Sequence, residues 1–227
     1  MEGIEPLATA GISLGPLWIS RTVLITWGIM AVLGTVSVLS SRQLALDPGR
    51  WQSVLEGIVE GIGNAVREVL PDHVEQVSPF VGTLWIFLVV ANLTGLIPGL
   101  SSPTADLSLT AALATLVFFS VPYFGWRALG LRGYLRHYIR PSPMLLPFHL
   151  VGEATRTLAL AIRLFGNMMS LDLAAMLVLL VGGFLVPVPL LLLHVIEALV
   201  QAYIFGVLAL IYIAGAIHAQ EARPAAG

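Results

Sequence analysis

Long stretches of this chain carry no charge, and those stretches set its elements. No Asp, Glu, Lys or Arg lies between Arg21 and Arg42, none between Glu75 and Asp106, and none from Leu107 to Trp126. About 20 apolar residues cross the hydrocarbon core of a bilayer. The pattern therefore predicts transmembrane helices over 18–41, 81–100 and 107–128, the last two forming a hairpin. Trp18 and Trp27 fall toward the outer part of the first span, and Tyr123, Phe124 and Trp126 close the third, as aromatic residues do at a membrane boundary.

Between the first two spans the period changes. Trp51, Val54, Leu55, Ile58, Val59, Ile62, Ala65, Val66 and Val69 follow helical spacing, with Glu56, Glu60, Arg67 and Glu68 on the other face. That predicts an amphipathic helix over 50–70 lying on the membrane surface. Docking on a partner protein is the alternative.

The last third is apolar over a much greater length. No proline interrupts Phe148 to Gly183, Pro187 and Pro189 then break the run, and a second run follows from Leu190 to His218. A helix of about 36 residues is ~54 Å long at ~1.5 Å per residue. This far exceeds a core of ~30 Å, so the helix must tilt or bend. The expected fold is an all-α membrane protein in a single domain. It has one N-terminal transmembrane helix, an amphipathic surface helix, a two-helix transmembrane hairpin, and a hairpin of two long, strongly tilted helices over 146–184 and 190–218.

Composition agrees. Of 227 residues, 57% are hydrophobic and 11% charged, with a mean hydropathy of +0.91. A soluble domain carries roughly 25% charged residues, so this chain belongs in a bilayer. A net charge of −2 with no basic cluster among aromatics argues against a nucleic-acid partner. The absence of cysteine excludes disulfides and thiolate metal sites, and no cofactor is expected. No P-loop, HExxH or GxSxG motif is present, and His137 and His149 are too far from other ligands for a local metal motif, so no catalytic site is expected on this chain. The start, "MEGIEPLATAG", is acidic and lacks the basic region of a signal peptide. All basic residues are arginine; nothing physical explains that choice.

Arginine placement sets the expected orientation. Arg127, Arg132, Arg136 and Arg140 follow the third span, whereas the 100–106 loop holds only Asp106. The positive-inside rule puts 127–143 in the cytoplasm. The N-terminus is then outside, and the surface helix and C-terminus are cytoplasmic.

Charges also occur at membrane depth, where each costs several kcal/mol and marks an ion or substrate path. The first long helix carries Glu153, Arg156, Arg163, Asn167 and Asp172; the second carries His194, Glu197 and Gln201. Arg156, Arg163 and Asn167 share one face. Glu153 and Asp172 lie ~15 and ~13 Å either side of Arg163 along the axis. His194, Glu197 and Gln201 form one stripe. Blander readings exist: Glu153 with Arg156 as an interfacial ion pair, Arg163 bridged internally to Asp172 or Glu197, and His194, Asn167 and Gln201 as helix–helix hydrogen bonds. Acids at two depths with a fixed cation between them exceed what packing needs.

"RLFGNM" (Arg163–Met168) followed by Asp172 resembles the membrane subunit a of F-type ATP synthases. So do "NLTGLIP" (Asn92–Pro98), "PTADLSLT" (Pro103–Thr110), Glu153 ahead of the arginine, and "HVIEALVQAYIF" (His194–Phe205), all in the family's order. The resemblance implies a stator subunit that faces a rotor ring of small hairpin subunits and is held by a peripheral stalk subunit. It implies two aqueous half-channels that couple proton or sodium flow to rotation. Arg163 matches the family's essential arginine. Asp172, commonly glutamate there, and His194 line the external half-channel; Gln201 sits opposite the arginine, and Glu153 matches an acid of the cytoplasmic one. Glu197 adds an acid to the stripe, and Asn92, Asp106 and Arg156 are accessory candidates. The implied location is the bacterial plasma membrane. A secondary ion transporter or channel is the alternative function, but neither the inverted repeats nor the broken-helix pairs usual in such proteins appear in the sequence.

Overall fold

The computed structural model describes residues 12–14, 17–42, 49–97, 100–129, 146–182 and 188–221. A short antiparallel hairpin pairs β1 (Ile12–Leu14) with β2 (Leu17–Ile19) in the register Ile12↔Ile19. Among the described residues six α-helices follow: α1 (Arg21–Arg42), α2 (Arg50–Val69), α3 (Val74–Leu93), α4 (Leu107–Leu129), α5 (Leu146–Gly182) and α6 (Val188–Glu221). Five of the helices are long and apolar enough to cross a membrane. The chain is an all-α membrane protein, apart from the small hairpin. Trp18 belongs to β2, ahead of the first helix. Arg132, Arg136, His137 and Arg140 lie outside the described residues.

The helix α3 begins at Val74, earlier than hydropathy suggests. Glu75 sits in its first turn, where the helix dipole favours a carboxylate. Pro79 lies inside the helix, past the first turn, and removes one backbone hydrogen bond there. Within the spans, the Thr35, Thr83, Thr115 and Thr157 hydroxyls donate to the carbonyl one turn back. Each polar group is thereby satisfied within its own helix, as lipid requires.

Two apolar clusters hold the bundle. The first joins Val66 and Leu70 to Val77, Val81 and Trp85 of α3, Val121 and Phe124 of α4, and Leu210, Ile213 and Ile217 of α6. The second joins Leu84 and Leu88 to Val117, to Leu160, Leu164 and Met168 of α5, and to Ala202, Phe205 and Ala209 of α6. Thus α3 runs along α6, and α4 packs on both α5 and α6. At Gly206 a Cβ would overlap the Trp85 indole, so α6 and α3 meet closely there. That indole N–H donates to the Tyr203 carbonyl at 3.2 Å and the ring stacks on Tyr203, 6.0 Å between centroids.

The amphipathic helix α2 is divided. Ile62, Ala65, Val66 and Val69 pack into the first cluster, whereas Trp51, Val54, Ile58 and Val59 remain exposed. Its apolar stripe therefore serves the bundle at one end and stays open at the other. Among the described residues of α1 only Ile29 is buried, so that helix stands at the edge. The helix α5 is continuous over 37 residues and α6 over 34. At ~1.5 Å per residue both exceed 50 Å, roughly three-quarters as long again as the ~30 Å bilayer core is thick.

Candidate functional site

The seam between α5 and α6 gathers most of the membrane-depth polar residues. Asn167 Nδ2 donates to Gln201 Oε1 at 2.8 Å. Gln201 is 2% exposed, and its Nε2 has no hydrogen-bond partner. Ala161 and Ala198 are both buried, but Ala161 lines a cavity against Ala111, Ala114 and Phe118 of α4 and the Ala198 carbonyl meets Asn92 of α3. Arg163 lies one turn before Asn167 on the same face and is exposed. Among the described residues nothing pairs with it. An internal bridge from Arg163 to Asp172 or Glu197 does not form. Ala159, Gly166 and Ser170 share its open flank, spaced four, three and four residues along the helix, so a partner backbone can come close.

The acids lie to either side. Asp172 is half-buried and within electrostatic reach of His194, itself 4% exposed. Glu197, one turn past His194, is half-buried. At the other end, half-buried Glu153 is attracted to Arg156, whose guanidinium carbon stands 5.8 Å from the Tyr212 ring centroid. A cation over an aromatic face is worth ~0.5–1 kcal/mol at an exposed site, so Arg156 ties α5 to α6 as well as facing Glu153.

A third group sits where the α3–α4 connection meets α6. Asn92 Nδ2 donates to the Ala198 carbonyl at 3.0 Å, and Thr104 Oγ1 donates to Asn92 Oδ1 at 2.7 Å. Ser102 Oγ lies 2.7 Å from Thr104 Oγ1 and reaches the Ala91 carbonyl at 3.1 Å. His194 Nε2 faces the Asn92 carbonyl at 3.4 Å. Sequence reasoning singled out Asn92 and missed Ser102, Thr104 and Gly95. The only signal for Thr104 and Gly95 was their place inside "PTADLSLT" and "NLTGLIP".

Asp106 starts α4 and anchors α1. Its Oδ1 accepts the Ser108 N–H at 2.9 Å and hydroxyl at 2.8 Å, and its Oδ2 accepts the Thr22 hydroxyl at 2.7 Å. Partial burial pushes its carboxyl up, but these bonds outweigh it and hold the group below the usual carboxylate value.

Sequence comparison identifies the family. The family model described as ATP synthase A chain matches residues 23–214. The chain belongs to that family. Among curated relatives, ATP synthase subunit a 2 of Pelobacter propionicus is 64% identical over 92% of this chain and 92% of its own. ATP synthase subunit a 1 of Hahella chejuensis is 58% identical over 93% of this chain and 90% of its own. ATP synthase subunit a of Legionella pneumophila is 56% identical over 96% and 95%. Within "RLFGNM", Arg163 and Gly166 lie on the open side of α5, Leu164 and Met168 are buried in the second cluster, and Asn167 makes the contact with Gln201.

Proposed function

We propose that this chain is the membrane stator subunit of a rotary F-type ATP synthase, placed in a bacterial plasma membrane with its N-terminus outside. It would face a ring of small hairpin subunits, be held by a peripheral stalk, and form two half-channels with the ring. The observation that carries this reading is Arg163: a permanent cation at membrane depth, exposed and without a partner among the described residues. A charge at the centre of a bilayer costs ~2.5–3.5 kcal/mol on insertion scales, so a face that keeps one open is built for an anionic partner. A rotor carboxylate supplies that anion.

The chemistry follows from charge. A neighbouring cation favours the ionised carboxylate, so each ring site gives up its ion on reaching Arg163. The same cation repels an ion trying to pass directly from one half-channel to the other. Guanidinium cannot deprotonate in a protein, so the barrier never lapses. Asp172 and His194 serve the external half-channel and Glu153 the cytoplasmic one, with Gln201 opposite the arginine. Each elementary charge crossing 100 mV releases ~2.3 kcal/mol, which rotation delivers to nucleotide-binding subunits. The transported ion is a proton or sodium, distinguished by whether ATP hydrolysis in the purified complex needs sodium.

The test is Arg163→Ala in the assembled complex. ATP-driven ion pumping by inverted membrane vesicles should vanish while the complex still assembles. Full pumping by that variant would overturn the reading.

A further inference from the structure

We infer that Asn92, Ser102, Thr104 and Gly95 form a socket that fixes the ring orientation and tautomer of His194, with Thr104 as a positioning residue. The inference rests on His194 serving a half-channel. Asn92 and Thr104 are fully buried, Ser102 is 2% and His194 4% exposed. Four buried polar side chains at one place in a lipid-facing bundle are expensive unless each is bonded, and here they bond to one another and to α6.

Asn92 grips α6 twice. Its side-chain amide binds the carbonyl of Ala198, while its own carbonyl faces Nε2 of His194, one turn earlier. The amide cannot turn over, because Thr104 presents a hydroxyl to Oδ1 and Ala198 presents an acceptor to Nδ2. Thr104 is in turn beside Ser102, whose single proton is shared between Thr104 Oγ1 and the Ala91 carbonyl. Gly95 roofs the imidazole with backbone alone. A Cβ there would stand 3.0 Å from Ser102 Cβ and 3.4 Å from Cε1 and Nε2 of His194.

The consequence is chemical. A carbonyl only accepts, so the neutral imidazole must carry its proton on Nε2. That leaves Nδ1 as a lone pair for the transported cation. The titratable groups near the ring are Asp172 from α5 and Glu197 on α6 itself; the socket's side of the ring, from α3 and the 94–104 connection, offers none among the described residues. The socket thus holds one ring edge and leaves the other free to exchange an ion, so that relay does not wait on ring rotation or a tautomer change.

The experiment compares Thr104→Val, which keeps the shape and removes the hydroxyl, with Thr104→Ser, which restores it. Both are made in the whole ATP synthase in proteoliposomes. ATP synthesis is followed against the concentration of the driving ion. Thr104→Val should raise the half-saturating concentration about tenfold, the size of one lost buried hydrogen bond, with the maximal rate within about twofold; Thr104→Ser should return it to wild type. Nitrogen-15 spectra of the labelled histidine should show the neutral ring's proton on Nε2 in wild type and a mixture of the Nδ1–H and Nε2–H tautomers in Thr104→Val. An unmoved half-saturation, or a loss of assembled complex that Thr104→Ser fails to rescue, overturns the socket. Arg163→Ala run alongside separates the two levels. If it pumps normally the rotary reading itself fails; if it is dead while Thr104→Val behaves as wild type, only the socket fails.

Discussion

Arg163 and Asn167 sit one turn apart on α5 and face different surroundings, the first open and the second bonded across the seam. The open position demands a charge that cannot be lost. Arg163→Lys should therefore abolish ATP-driven pumping as fully as Arg163→Ala, because a lysine drawn toward the hydrocarbon loses its proton. Dye-quenching in inverted vesicles checks this, and near-normal quenching by the lysine variant would refute it. The bonded position follows a different rule. Gln201 Nε2 is already unpartnered, so Asn167→Leu leaves the whole buried amide unsatisfied, a cost of ~1–3 kcal/mol. Asn167→Leu/Gln201→Leu together should recover most of the lost thermal stability of the purified chain while transport remains impaired. Spacing alone put Arg163 and Asn167 on one face, and the motif named them. Asn167 and Gln201 are legible in the sequence as helix–helix hydrogen-bonding residues but not as each other's partners, and the socket is not legible, because Asn92 meets Ala198 across 106 residues of sequence.

The helices divide the work of support. The register of α6 against α3 depends on Gly206 accepting the Trp85 indole, and the same helix carries His194 and Gln201. Gly206→Ala puts a methyl into the indole. Overpacking of this kind costs ~1–3 kcal/mol, so the variant should melt earlier and lose pumping. A second change, Trp85→Leu, should restore stability by vacating the space. Thermal unfolding of the two variants decides it, and an unchanged melting temperature for Gly206→Ala would count against the contact. The fold class and the order of the spans are legible in charge-free runs and prolines, since length in apolar residues is what a bilayer selects. The start of α3 was not: Glu75 reads as a boundary, yet a carboxylate in a first turn is at home there. The divided role of α2 was also hidden, because periodicity reports an apolar face without saying what covers it.

Across the whole molecule, α1 is joined to the bundle by contacts with α3 and by the Thr22–Asp106 bond. Asp106 is held below the usual carboxylate value. Its stabilising contribution is therefore complete above the ordinary value of about 3.9 and is lost only as pH falls through the lowered one. Hydrogen exchange over 20–26, corrected for intrinsic rates, should be unchanged from neutral pH down to about pH 5, and Asp106→Asn should accelerate it at neutral pH. Acceleration in the wild type already at about pH 6 would contradict the tether. The two ends of the α5–α6 pair should also answer to opposite compartments. In this naturally cysteine-free chain, cysteine at Asp172 should be labelled from one side of the membrane and at Glu153 from the other. Labelling of both from one side would dismiss the two-channel arrangement. The hydrophobic pattern revealed the membrane and the order of spans; it carried no record of which helix would stand at the edge, because α1 is as apolar as the helices that fill the core.

The open flank of α5 bears on biogenesis. Before it meets a rotor, the newly inserted subunit offers lipid a bare guanidinium, at ~2.5–3.5 kcal/mol, which weakens its hold on the bilayer by roughly a hundredfold in equilibrium terms. The lone chain is therefore a marked orphan, recognisable by membrane proteases through the same charge that the finished machine conceals. In cells lacking the rotor subunit, the wild-type chain should decay quickly and Arg163→Leu should persist, as pulse–chase labelling would show; equal half-lives would mean that the cell reads some other sign of solitude.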